Sequence, residues 1–215
     1  MANIPVLIVI LPLIAALLCL LLTGINRHLG ALTTGLAVLA SLVLSVMQLI
    51  TVVKGGPVHY EIGGYAVPYG IEFVIDSLNA LILVLVSLMG FLTVLFAGHF
   101  WSDDRPMIRG AAYSVLALLI TGLLGMTSTG DVFNLYVFLE ITSLSAYCLI
   151  ALGGSRGVVS AFRYMLVGTI AASFYLLGIG ILYGATGTLN MGDMKAILDR
   201  GGFDDVMLVS MCFLI

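Results

Sequence analysis

Ionisable side chains are scarce within the long apolar stretches of this sequence, so their positions limit the chemistry it can do. They are Glu140, Arg163 and, near the ends of stretches, Asp76, His99 and Asp131. Only Glu140 lies near the middle of a stretch, about eight residues beyond Val132, too deep for a short carboxyl side chain to reach a surface. On a helix, residues three and four apart share a face, which sets Glu140 beside Tyr136 and Ser143 and continues the stripe to Tyr147. Burial disfavours the charged form of a carboxyl and a nearby cation favours it. That competition suits a proton carrier with Tyr136, Ser143 and Tyr147 as hydroxyl neighbours. The alternative is a carboxyl that hydrogen-bonds adjacent helices and holds a bundle together.

The cation nearest in sequence is Arg163, in the stretch that follows. Counted from the turn between the two stretches, Glu140 is about 18 Å deep and Arg163 about 8 Å, so direct pairing needs a long reach. Arg163 therefore reads as a snorkelling side chain, or as a group bordering a water path. His99, beside Trp101, reads as an interfacial anchor or as a relay. Asp76 and Asp131 each precede a helical stretch and suit amino-terminal caps. Gly168, Gly178, Gly180 and Gly184 suit close helix packing. No P-loop, zinc motif, nucleophile elbow, or haem or iron–sulfur ligand set is present, so no cofactor or metal is expected. Cys19, Cys148 and Cys212 lie inside apolar runs and read as small hydrophobes. Lys and Arg total 8 against 11 Asp and Glu, a net charge of -3, which argues against a nucleic-acid partner.

The elements that hold these residues follow from composition. With 61% hydrophobic and 9% charged residues, the 215-residue chain has too little polar surface to face water and belongs in a bilayer. Runs of about 20 apolar residues cross a bilayer as helices, because the backbone must satisfy its own hydrogen bonds there. Six full runs qualify: Ile4 to Thr23, Gly30 to Val53, Ile75 to Trp101, Gly110 to Thr127, Val132 to Leu152 and Val158 to Tyr183. The first is preceded by no Lys or Arg and followed by no small-residue cleavage site, so it reads as a retained helix. A seventh run starts at Val206 and reaches Ile215, about 15 Å of helix, roughly half a bilayer core. A carboxylate there would be desolvated, so we expect either a truncated piece or a second polypeptide that completes the helix.

The predicted fold class is all-α integral membrane, with six full transmembrane helices, the start of a seventh and a small extracytoplasmic hairpin. The hairpin comes from residues 55–74, which mix aromatic and β-branched residues with Gly and Pro. Met191, Met194, Ile197 and Leu198 fall at helical spacing opposite Asp193, Lys195 and Asp199, which predicts a short interfacial helix over 190–200. With the amino terminus outside, the inner links carry Arg27, Arg105, Arg109 and Arg156, with Arg163 just beyond, and the outer links carry Lys54, Lys195 and Arg200. The positive-inside rule favours that arrangement.

The segment GDVFNLYVFLEITSLSAYCLIA, residues 130–151, resembles the fifth transmembrane helix of the antiporter-like subunits shared by respiratory complex I, membrane-bound hydrogenases and Mrp-type cation/proton antiporters. GGYAVPYGIEFVIDSLNAL, residues 63–81, resembles the family's outer loop and third helix, and AFRYMLVGTIAASFYLLGIGILYGATGTLNM, residues 161–191, its sixth helix and following loop. The loop is most similar to the Mrp D-type and hydrogenase-linked members. The resemblance implies a proton channel built from two inverted repeats around a hydrated row of Glu, Lys and His. Glu140 then falls on the fifth-helix glutamate, whose lysine partner in a broken seventh helix would lie shortly after Ile215.

On this basis residues 1–109 form an amino-terminal three-helix segment with an outer loop at 54–74, and residues 110–215 an incomplete first antiporter-like repeat. The implied function is proton translocation in a multi-subunit complex of the cytoplasmic membrane. Protons, or protons and sodium, are the translocated ions, and energy comes from an electron-transfer module or an opposing gradient. Any enzymatic role would be as a subunit of a quinone oxidoreductase-type or hydrogenase translocase, without an active site of its own. The alternative is a non-conducting structural half-subunit packed against a larger membrane neighbour.

Overall fold

The computed structural model describes residues 3–24, 28–100, 106–201, 209–210 and 212–213, with the side chains at 99, 100, 106, 200 and 201 left aside. Six described helices are long and apolar enough to cross a membrane: α1 Ile4–Thr23, α2 Leu29–Gly55, α3 Ser77–Phe100, α4 Pro106–Ser128, α5 Val132–Ala151 and α6 Ser155–Thr186. A shorter helix, α7 Met191–Gly201, follows. The six spans and the short helix agree with the sequence reading, with ends displaced by a few residues, the largest shift being the start of α4. Of the expected seventh run, residues 209, 210, 212 and 213 are helical, and the others lie outside the described residues.

Three helices pack around α4, which contacts α1, α2 and α3 and on its far side α5. Small residues permit the approach. A Cβ on Gly110 would collide with Thr23, and one on Gly122 with Thr142, so the helix backbones come close, as van der Waals packing between helices in lipid demands. Ser114 reinforces the seam by donating from Oγ to the Ala16 carbonyl at 2.6 Å. Ile8, Leu83, Tyr113 and Leu124 fill the interior of this four-helix unit.

Within α1, Pro12 has no N–H to give to the Ile8 carbonyl one turn earlier, and lipid offers no substitute donor. Ser41 of α2 supplies one, its Oγ donating to Ile8 O at 2.9 Å. Ser41 is fully buried on the α2 face that also carries Gly30, Thr34, Val38 and Ser45.

α5 and α6 project from this unit as a wing. α5 packs on α4 and α6, and most of α6 is uncovered by the described chain. Of the four glycines expected to serve packing, Gly178 is buried and Gly168 receives Tyr147, whereas Gly180 and Gly184 meet nothing within 4 Å. The three cysteines are free; Cys19 is buried, and Cys148 and Cys212 are exposed.

At one end of the bundle, β1 Val58–Glu61 pairs antiparallel with β2 Glu72–Ile75, Val58 opposite Ile75 and Glu61 opposite Glu72. Period-2 alternation turns Phe73 and Ile75 inward, and Phe73 meets Phe138 of α5 with ring centroids 6.4 Å apart. The α4–α5 and α6–α7 turns meet at the same end. Gly130 N donates to Glu72 O, Met191 N to Gly130 O and Val132 N to Leu189 O, each at 2.9 Å. A two-stranded hairpin and a short amphipathic helix thus occupy the segments where they were expected. On α7, Met194 is buried while Lys195 and Asp199 face outward.

Candidate functional site

The candidate site is built on α5. Its start is fixed by Asp131, whose Oδ1 accepts from the Asn134 amide at 2.7 Å. Asp76 does the same for α3, accepting from Asn79 N at 2.8 Å. Both aspartates are therefore the caps that the sequence implied. Burial pushes the Asp131 carboxyl above its usual range, partly offset by hydrogen bonds from the Asn134 and Phe133 amides.

Along α5, the stripe of Tyr136, Ser143 and Tyr147 turns toward α6. Ser143 and Tyr147 line a cavity of about 720 Å³ with Tyr164, Gly168 and Tyr175 of α6 and with Phe213. Thr142 and Ser145 donate their hydroxyls to carbonyls one turn back, at 2.8 and 2.6 Å. Ser143 makes no such bond among the described residues, so its hydroxyl remains available to the cavity. Tyr147 meets Tyr164 edge to face at 5.3 Å, and its hydroxyl occupies the space that a Cβ on Gly168 would need. Tyr136 is joined to the same region through Tyr175, the two rings stacked 6.2 Å apart at 11°.

Glu140 sits at the edge of this stripe. It is half-buried, does not line the cavity, and makes no hydrogen bond or ion pair among the described residues. Three and four residues along the helix, Val137 and Leu144 are exposed, as is Phe133 a further turn away. Arg163 is exposed on α6 and is not brought to Glu140. The side chain of His99 lies outside those described.

Sequence reasoning missed Tyr175 and Tyr164, although with Gly168 and Ala171 they form a stripe at spacings of three and four on α6. It also missed a polar cluster at the hairpin end. Glu72 Oε1 takes a hydrogen bond from His59 Nδ1, and Glu72 Oε2 takes one from Asn190 Nδ2 at 3.0 Å. The available signal was Asn190 standing directly before a helical pattern.

Comparison with known proteins bears on this same region. Residues 128–215 match the family described as NADH:quinone oxidoreductase/Mrp antiporter, TM. The chain is 43% identical over 217 residues to NADH-quinone oxidoreductase subunit N of Desulforudis audaxviator (strain MP104C), covering 100% of this chain and 43% of that protein. Over nearly its whole length the chain is similar to antiporter-like membrane subunits. It is 31% identical over 203 residues to the D-type Na(+)/H(+) antiporter subunit of Bacillus subtilis (strain 168), covering 94% of this chain and 41% of that one. A solved structure of the membrane-bound sulfane sulfur reductase, an archaeal respiratory membrane complex, superposes with a TM-score of 0.90 at 30% identity, covering 99% of this chain and 43% of its own.

This antiporter-like chain is thus a multi-pass membrane protein whose structural neighbours are multi-subunit membrane complexes. It spans less than half the length of the relatives it matches. The family match begins at Ser128, so it contains α5, Glu140, the cavity and α7.

Proposed function

We propose that the chain is the proton-translocating part of a membrane subunit in a complex I-like, hydrogenase-linked or Mrp-type assembly, with Glu140 as proton carrier. One observation carries the reading: a carboxyl about 13 Å along a membrane-crossing helix, without a described partner, beside a cavity edged by the Ser143 and Tyr147 hydroxyls. An ionisable group at that depth must face protein or water. A cation brought beside such a carboxyl favours its ionised form, and withdrawing the cation favours proton uptake. The cation in this reading is a lysine supplied by a further helical segment, and Tyr136, Ser143, Tyr147, Arg163 and His99 border the proton path.

Protons are the translocated ion, exchanged against sodium if the assembly is of the Mrp type. The amino terminus faces outward from the cytoplasmic membrane, which makes the hairpin extracytoplasmic. In the intact assembly, Glu140→Gln should leave subunit association unchanged and lower coupled proton transport by about a hundredfold or more, a loss typical of removing a positioned proton-transfer group. Transport at the native rate in that variant would overturn the carrier role. A non-conducting scaffold is the second reading, favoured by the uncovered faces of α5 and α6, and the same measurement decides between them.

A further inference from the structure

We propose that Glu72 is a positioning residue whose carboxylate, acting through Asn190, fixes the start of α7 against the start of α5. Its consequence for transport rests on the function proposed above; the contact itself does not. Glu72 lies on the hairpin with its side chain only 12% exposed, and it touches both of the turns that meet there. Its carbonyl accepts from Gly130 N in the α4–α5 turn, and its Oε2 accepts from Asn190 Nδ2 in the α6–α7 turn. Asn190 has the opposite end of its amide engaged as well. Its Oδ1 accepts from Gly192 N at 2.9 Å and Asp193 N at 3.1 Å and so caps α7. The two turns are also joined directly, Met191 N to Gly130 O and Val132 N to Leu189 O.

A carboxylate fits the position. Glu72 serves two donors at once, His59 Nδ1 on Oε1 and Asn190 Nδ2 on Oε2, and an ionised carboxylate is acceptor-only at both oxygens. A glutamine has one carbonyl oxygen, so it keeps both partners only where His59 is neutral and accepts at Nδ1, and neither bond is then charge-assisted. The neighbouring charges make the arrangement directional. Glu61 stands opposite Glu72 in the strand register, Asp131 pairs with Asn190 across an isolated bridge, and Asp193 follows in the first turn of α7. An added negative charge at position 190 would be repelled.

The test uses the intact polypeptide in its native assembly, read by amide exchange over residues 188–196 and by coupled proton transport. Glu72→Gln should raise exchange about tenfold, as expected from losing one hydrogen bond to a charged group. Asn190→Asp should do the same, because it keeps an oxygen for the α7 cap but faces Glu72 with a like charge. Both should lower maximal transport several-fold with unchanged substrate KM. Combining the two reverses donor and acceptor: the introduced amide donates from its NH₂ to the new carboxylate and still accepts from His59 at its carbonyl oxygen, so exchange and transport should return toward native. Single variants with native exchange, or a combined variant as impaired as the two effects added, would overturn the contact, and altered exchange with native transport would overturn its consequence for transport. Because exchange at α7 does not involve Glu140, native coupling in Glu140→Gln would remove the transport reading and leave the contact separately measurable.

Discussion

Asp131 shows how one side chain can help and hinder at once. As a cap it satisfies the Asn134 amide, yet burial raises its carboxyl above the usual range. The native state therefore binds this proton more tightly than the unfolded chain does. The stability contributed is full below the unfolded value of about 3.9 and is lost as pH rises through the higher native value. Asn at this position keeps an oxygen for the cap and does not ionise. The melting temperature of Asp131→Asn relative to the native protein should thus rise as pH climbs above about 4, and an offset that stays constant would contradict this. Asp131→Ala should cost about 1 kcal/mol at the acid end from loss of the cap alone.

Gly168 gives a steric counterpart. Its missing Cβ makes room for the Tyr147 hydroxyl, so Gly168→Ala should destabilise the α5–α6 pair by about 1–3 kcal/mol. Adding Tyr147→Phe should recover part of that loss, and thermal unfolding in detergent measures both. At this scale the sequence was legible where lipid does the selecting. Asp76 and Asp131 stand out because ionisable groups at the ends of apolar helices have few permitted roles, and both are caps. Glu72 and Asn190 did not stand out: both lie in polar links, where such residues are common, and they meet across 118 positions of chain.

Among the elements, the kink-prone α1 and its neighbour offer a sharp test. Ser41→Ala would leave the Ile8 carbonyl without a donor in an apolar interior, at a cost of about 1–3 kcal/mol. Pro12→Ala restores the α1 N–H. In that background Ser41→Ala should cost clearly less, and an equal cost in both backgrounds would show that the hydroxyl does not serve the carbonyl. The spans themselves were readable from apolar length, because a bilayer leaves the backbone no option but a helix. Their ends were less so: α6 runs from Ser155 to Thr186, beyond the apolar run, since its terminal turns can use water and need no hydrophobic signal. The hairpin was readable from its Gly, Pro and β-branched mixture, whereas its register was not, because that depends on Phe73 finding Phe138.

At the scale of the whole molecule, the proposed orientation predicts which ends can be labelled. With Cys148 and Cys212 replaced by serine, Tyr69→Cys on the hairpin, a site 95% exposed, should react with a membrane-impermeant maleimide on intact cells. Ser155→Cys should react only after the membrane is opened. The reverse pattern would invert the orientation and place the arginine-bearing links outside.

The length of α6 has a mechanical corollary. Its 32 residues extend about 48 Å, well past a hydrocarbon core of about 30 Å. The helix therefore overhangs the lipid, and its far tip carries the turn that ends in Asn190. Shorter acyl chains would expose more of its apolar flank and lean the rod over, dragging that tip sideways across the strand pair beneath it. Membrane thickness would then work as a lever on this molecule, felt first where no lipid touches.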